Sequence, residues 1–244
     1  MADQRSAESG SDPTELLHDQ PDTEGEQLSE PGSRKSVTSQ MRDEPDHGED
    51  TYQGHSRLVD QVAVITGGDS GIGRAVALAF AREGADVVIC YLEGEDEDGR
   101  QTARLVEDAG REAVLVPADL THEVECRGLV DRAVEEFGRI DILVNNAAYQ
   151  MAQPGGIADI TTEQFDRVMK TNLYAMFWLC KLALPHMKAG SSIINTSSVQ
   201  ASSPSPELLD YATTKAGIAN FTRGLAAMVA GQGIRVNSVA PGPI

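Results

Sequence analysis

Tyr211 and Lys215 stand four residues apart in YATTK, so a helix through them carries both side chains on one face, about one turn apart. A tyrosine with a pKa near ~10 is a poor base at neutral pH, but an ammonium beside it favours the phenolate and brings it into useful range. The same spacing also occurs in ordinary surface pairs, so the surroundings must decide. The stretch TGGDSGIGR lies upstream, with Gly67, Gly71 and Gly73 spaced G-x-x-x-G-x-G. Glycines there permit a tight turn and let backbone N–H groups at a helix start approach a pyrophosphate.

These residues need elements to hold them. Short apolar runs occur at 62–66 (VAVIT), 86–91 (DVVICY), 113–117 (AVLVP), 140–145 (IDILVN), 192–197 (SIINTS) and 234–240 (IRVNSVA), which predicts six strands. Helical patterns alternate with them, four closing on a glycine near the expected C-cap, and TTEQFDRVMKTNLYAMFWLCKLALPHM reads as one long helix. Strict alternation of helices with nearly continuous apolar strands predicts an α/β fold, a doubly wound parallel sheet that binds ligands at the carboxyl ends of its strands. The glycine turn sits between the first strand and the first helix, where that architecture places a phosphate.

Residues 1–57 have a different character. They hold fourteen acidic against five basic side chains and nine scattered apolar residues, too few to offset the entropy of ordering the segment. A disordered or loosely attached acidic arm is expected there, and a catalytic domain at 58–244.

The net charge of −18 repels phosphate backbones and anionic lipid heads, which argues against nucleic acid and membrane surfaces as partners. The N-terminus lacks the order of a signal peptide and no apolar run is long enough to span a bilayer, so the expected location is cytoplasmic. Cys90, Cys126 and Cys180 are widely spaced and read as reduced, buried thiols. The five histidines show no metal-ligand spacing, and no metal site is expected.

TGGDSGIG resembles the TGxxxGxG signature of the short-chain dehydrogenase/reductase family, and further signatures follow in that family's order over residues 58–244. NNAA at 145–148 resembles its NNAG, with Ala148 where glycine is usual. Asp119, Asn172 in KTNLYAMF, Ser198 in NTSSVQA, Tyr211 and Lys215 in YATTK, and Pro241 with Gly242 in APGPI complete the match. The acidic arm, GGDSGIG and APGPI are most similar to the branch containing bacterial general stress proteins and glucose 1-dehydrogenase-like enzymes.

The resemblance implies a Rossmann fold and reversible hydride transfer between a nicotinamide cofactor and a small alcohol, aldehyde, ketone or sugar. It implies that Ser198, thirteen residues before Tyr211, polarises the substrate oxygen. Tyr211 would then transfer the proton, Lys215 bind the nicotinamide ribose, and Asn172 hold a water that relays protons to solvent. It further implies that the cofactor contacts Gly67, Ser70, Gly71, Ile72, Gly73, Tyr91, Asp119, Asn146, Tyr211, Lys215, Pro241, Gly242 and, through its backbone, Ile244.

The family's usual acidic residue for NAD and basic residue for NADP are both absent at Ser70, Tyr91 and Leu92. EGEDED at 93–98 disfavours an added phosphate dianion and leans the expectation to NAD, while the same run also reads as a solvated acidic loop. The resemblance implies a tetramer for the complete protein. It also implies that about sixty residues beyond Pro-Gly supply a substrate lid, a helix and a seventh strand, so the chain reads as an incomplete piece with every catalytic group present. A dinucleotide-binding protein without turnover, or an inactive fragment, is the alternative.

Overall fold

The computed structural model describes residues 45–242. Six parallel strands form one sheet in the order β3-β2-β1-β4-β5-β6, comprising β1 (Val62–Thr66), β2 (Asp86–Tyr91), β3 (Ala113–Pro117), β4 (Ile142–Asn145), β5 (Ser192–Thr196) and β6 (Arg235–Val239). β1 pairs with both β2 and β4, so the strand order reverses between β1 and β4. This switch point is where a doubly wound sheet opens a crevice at its carboxyl edge.

Alternate residues of each strand feed two cores. Val64, Val88, Leu143 and Ile193 pack with α3 (Glu123–Phe137), α5 (Ala175–Ala183) and α6 (Leu209–Val229), while Ala63, Ile65, Val87 and Ile89 pack with α1 (Gly71–Arg82) and α2 (Asp96–Asp108). The two-residue period of a strand sends its neighbours to opposite faces, and both faces here are apolar. The three cysteines are free and buried. α3 ends at Gly138 in the left-handed region (φ 71°), whose N–H returns to the Val134 carbonyl, an ending glycine adopts without a Cβ penalty.

The long helical pattern after β4 departs from expectation. It forms α4 (Thr162–Met169), a π turn at Lys170–Tyr174, α5, and a final tight turn containing Pro185. A π turn inserts an extra residue and breaks the 3.6-residue register. Asn172 lies within it.

The arm's expected boundary also moves. Residues 45–57 belong to the packed domain, because Glu83 at the end of α1 gathers them. Its carboxylate accepts hydrogen bonds from the Tyr52 hydroxyl, the His55 and Arg57 amides, and the Arg57 guanidinium. Arg82 donates to the carbonyls of Gly48, Glu49 and Tyr52. Composition favours disorder only where polar groups lack partners, and here two adjacent helix-end side chains satisfy them. Residues 1–44 lie outside the described residues.

Candidate active site

At the carboxyl edge of β1, Thr66 ties the glycine turn to the segment after β4. Its Oγ1 accepts the amides of Asn146 (2.9 Å) and Ala147 (3.0 Å), and Asn146 Nδ2 donates to the Gly67 carbonyl at 3.1 Å. Gly73 is pressed against the turn, where an added Cβ would lie 1.7 Å from the Gly67 oxygen. Around Gly71, by contrast, an added Cβ would meet nothing within 4 Å. The turn is thus closed on the helix side and open on the other, and the first N–H groups of α1, at Gly71, Ile72 and Gly73, have no intrahelical partner. Ser70 precedes them in extended conformation with its side chain uncommitted to the cap. This cradle fits a pyrophosphate.

The turn is braced by side chains that the motif does not name. Buried Arg74 donates to the Asp69 carbonyl and Thr102 Oγ1 (both 2.9 Å) and to Asp98 Oδ1 at 3.0 Å, while Thr102 also donates to the Asp69 carbonyl. α2 is thereby fastened to the turn. Burial pushes the Asp69 carboxyl up from its ordinary value. Tyr91, expected beside the cofactor, packs its ring under Gly99 and donates its hydroxyl to Asp96. Asp119 is half exposed at the end of β3, accepting from the amide and hydroxyl of Thr121. Pro241 accepts from the Val199 amide at 3.0 Å, which places the Pro241-Gly242 segment beside Ser198. Ile244 lies outside the described residues.

The four expected catalytic residues come together from three elements. Ser198 follows β5, accepts from the Gln200 amide and faces the Tyr211 phenol, whose pKa it lowers. Tyr211 and Lys215 lie on α6, with Lys215 Nζ 5.2 Å from the Tyr211 ring centre. Lys215 is 1% exposed, and Nζ donates to the Thr196 carbonyl at 2.7 Å. The Ser197 hydroxyl donates to the Lys215 carbonyl, closing β5 onto the helix.

Burial pushes the Tyr211 phenol above its ordinary value, with Ser198 opposing. The lysine itself is lowered by burial to about 8. Burial shifts both groups toward their neutral forms, but a lysine at about 8 keeps most of its charge at neutral pH.

Asn172 is 3% exposed and engaged on every side. Its Oδ1 accepts from the Tyr149 amide, and Nδ2 donates to the Tyr149 carbonyl and to Thr214 Oγ1. The carboxamide therefore braces the loop after β4 against α6. The Tyr149 ring is itself held under the Arg167 guanidinium, 4.0 Å from its centre. A second buried chain, from Asn145 through Asn195 to Thr222 on α6, escaped the sequence reading. Its only signal was polar residues at the inner ends of two apolar strands.

Among the described residues no group of three metal-ligating side chains is clustered, and no helix is long and apolar enough to cross a membrane. Residues 61–244 match the family described as short chain dehydrogenase. General stress protein 39 of Bacillus subtilis is 45% identical over 208 residues, covering 85% of this chain and 72% of the relative. The chloroplastic NADPH-dependent aldehyde reductase 1 of Arabidopsis thaliana is 45% identical over 209 residues, covering 84% and 72%. Among solved structures, a short-chain dehydrogenase from Burkholderia cenocepacia in complex with NADP superposes with a TM-score of 0.73 at 37% identity, covering 76% of this chain and 75% of that one. The order of motifs, the sheet that places them and these relatives agree, and the chain belongs to the short-chain dehydrogenase/reductase family of oxidoreductases.

Proposed function

We propose that this protein is a nicotinamide-dependent reductase of small carbonyl compounds, aldehydes foremost, with the reverse alcohol oxidation at the same site. The observation that carries the reading is the convergence of Ser198, Tyr211 and Lys215 beside an open glycine cradle. The cradle amides at 71–73 would hold the pyrophosphate and Asp119 the adenine end; Asn146 and the Pro241-Gly242 segment would flank the nicotinamide end. When bound, the nicotinamide supplies or accepts the hydride.

The chain's own residues handle the proton. Ser198 donates to the substrate oxygen and fixes it against the phenol. Tyr211, neutral at working pH, gives its proton to that oxygen as the carbonyl is reduced and takes it back in oxidation. Lys215 supplies a cation within reach of the developing phenolate while held on the Thr196 carbonyl. Asn172 keeps the loop and α6 at a fixed separation.

For the cofactor, the lean to NAD gives way to NADP(H). The aldehyde reductase and the Burkholderia structure both carry the phosphorylated form in their descriptions. Arg100, on α2 beside the Gly99 that abuts the Tyr91 ring, offers a cation near the end of β2, and its contact with Glu97 is a loose, exposed one of 3.6 Å. Such surface pairs are weak and exchange readily. Assembly as a homotetramer belongs to the same proposal, supported by exposed Phe165, Tyr174, Phe177 and Met228 on α4 to α6; light scattering tests it.

Tyr211→Phe tests the chemistry. The variant should bind NADPH with unchanged affinity and lose aldehyde reduction by at least about a thousandfold, in line with loss of a general acid. Turnover within tenfold of the parent refutes the assignment.

A further inference from the structure

We infer that Asp210 is a positioning residue for the proton-transferring tyrosine, acting with Gln164 as one of two bolts that fix the rotation of α6. The inference rests on the reading of Tyr211 given above.

α6 begins without a capping side chain, since Leu208 occupies the cap position. Asp210 supplies what is missing. Its carboxylate, 1% exposed, accepts the Tyr211 amide at 2.7 Å through Oδ1 and Gln164 Nε2 at 3.1 Å through Oδ2. The first contact satisfies one of the orphan donors of the helix start and places a carboxylate at the positive end of its dipole.

The second contact comes at the expense of α4. Thr161 caps that helix by accepting the Gln164 amide at 3.1 Å, and in a capping box the glutamine side chain would return to the Thr161 amide. Here it reaches across to Asp210 instead.

One turn further along α6, Thr214 is fully buried, accepts Asn172 Nδ2 at 3.1 Å and donates to the Tyr211 carbonyl. Residues 210 and 214 therefore share one face of α6 and grip the continuous helical stretch at 164 and at 172, about two turns apart. A single grip would leave the helix free to pivot; two define both its rotation and its axial setting. Tyr211 and Lys215 each follow a bolt by one residue, so the face they occupy, toward Ser198 and Thr196, is set by the bolted one. Losing the first bolt frees the end of α6 that carries Tyr211, while Lys215, beyond the second, stays on Thr196.

The test compares Asp210→Ala, which removes both contacts, with Asp210→Asn, which keeps an acceptor for the Tyr211 amide and can donate to Gln164 once that amide turns over. Gln164→Leu serves as a second route to the same loss while leaving the helix cap intact. The ring carbon bearing the Tyr211 hydroxyl, labelled with carbon-13 and assigned with Tyr211→Phe, reports the contact with Ser198 without any turnover. Asp210→Ala and Gln164→Leu should move this resonance about as far as Ser198→Ala does, should move it no further in a Ser198→Ala background, and Asp210→Asn should leave it in place. With 4-nitrobenzaldehyde and NADPH, the two disruptive variants should lose about ten- to a hundredfold in kcat, the scale of a small misplacement of a reacting group. Their KM and NADPH affinity should be unchanged, and Asp210→Asn should recover to within about threefold.

An unmoved resonance in Asp210→Ala, additive effects with Ser198→Ala, or an Asp210→Asn as disturbed as Asp210→Ala would overturn the inference. A Tyr211→Phe variant that keeps its turnover would instead sink the catalytic reading, leaving the resonance test to stand on geometry.

Discussion

Replacing Lys215 by methionine should alter the pH dependence of folding in a way that its burial fixes in advance. The ammonium is withdrawn from water and its pKa falls from 10.5 to about 8. The unfolded chain thus holds this proton more tightly than the folded one, and folding bears a penalty wherever the unfolded lysine is charged. That penalty is complete below pH about 8 and vanishes as the pH rises through 10.5. At 1.36 kcal/mol for each tenfold change it amounts to about 3.4 kcal/mol, of which about 2.5 kcal/mol is released between pH 7 and pH 10. Methionine has similar length and no charge, so the variant lacks this term, although it also forfeits the hydrogen bond to Thr196, itself about 1.5–3 kcal/mol for a charged donor. At pH 7 the two effects oppose each other. Urea unfolding of both proteins at several pH values between 7 and 10, with their difference plotted against pH, removes the titrations they share. Wild type should gain about 2.5 kcal/mol relative to the variant across this range. Parallel curves, or a wild type that loses ground as pH rises, would refute the argument that Lys215 is held by burial against its own charge.

Gly73→Ala should lower NADPH affinity about a hundredfold or more by fluorescence titration, because its Cβ would lie 1.7 Å from the Gly67 oxygen and force the turn open; the variant should remain folded. Arg100→Ala should weaken NADPH binding at low salt and leave NADH binding nearly unchanged, measured by the same titration; equal losses for both would separate Arg100 from the phosphate. Deleting residues 1–44 should shift the melting temperature by no more than about two degrees, whereas deletion through Arg57 should lower it by about five degrees or more, since Glu83 then loses all its partners from the segment. Glu83→Gln tests the same grip, and its melting temperature should fall between those two.

What was legible in the sequence was whatever repeats or spaces itself along the chain. VAVIT and IDILVN declare buried strands because apolar β-branched residues run without interruption, and the glycine turn declares itself by its place between strand and helix. Tyr211 and Lys215 share a face because four residues make about one turn. Illegible were the contacts that depend on a partner distant in the chain. Nothing in DEPDHGEDTYQGHSR announces that Glu83 will collect its polar groups, since composition alone reports a soluble segment. Asn172 could be matched to a family position, yet its engagement with Tyr149 and Thr214 depends on a π turn that no period of 3.6 reveals. The burial that raises the Tyr211 phenol and lowers Lys215 is likewise not encoded in the local sequence.

The grip of Glu83 and Arg82 on residues 48–57 lies at the far end of α1, under the edge of the sheet where the strands begin. The proposed active site lies at the opposite edge. A pull from upstream of residue 45 would meet the hydrogen bonds around two side chains at the end of α1 first, at Gly48 and Glu49 and then at Tyr52, His55 and Arg57. The domain can be leashed, immobilised or fused at that side with its catalytic mouth facing away from the attachment.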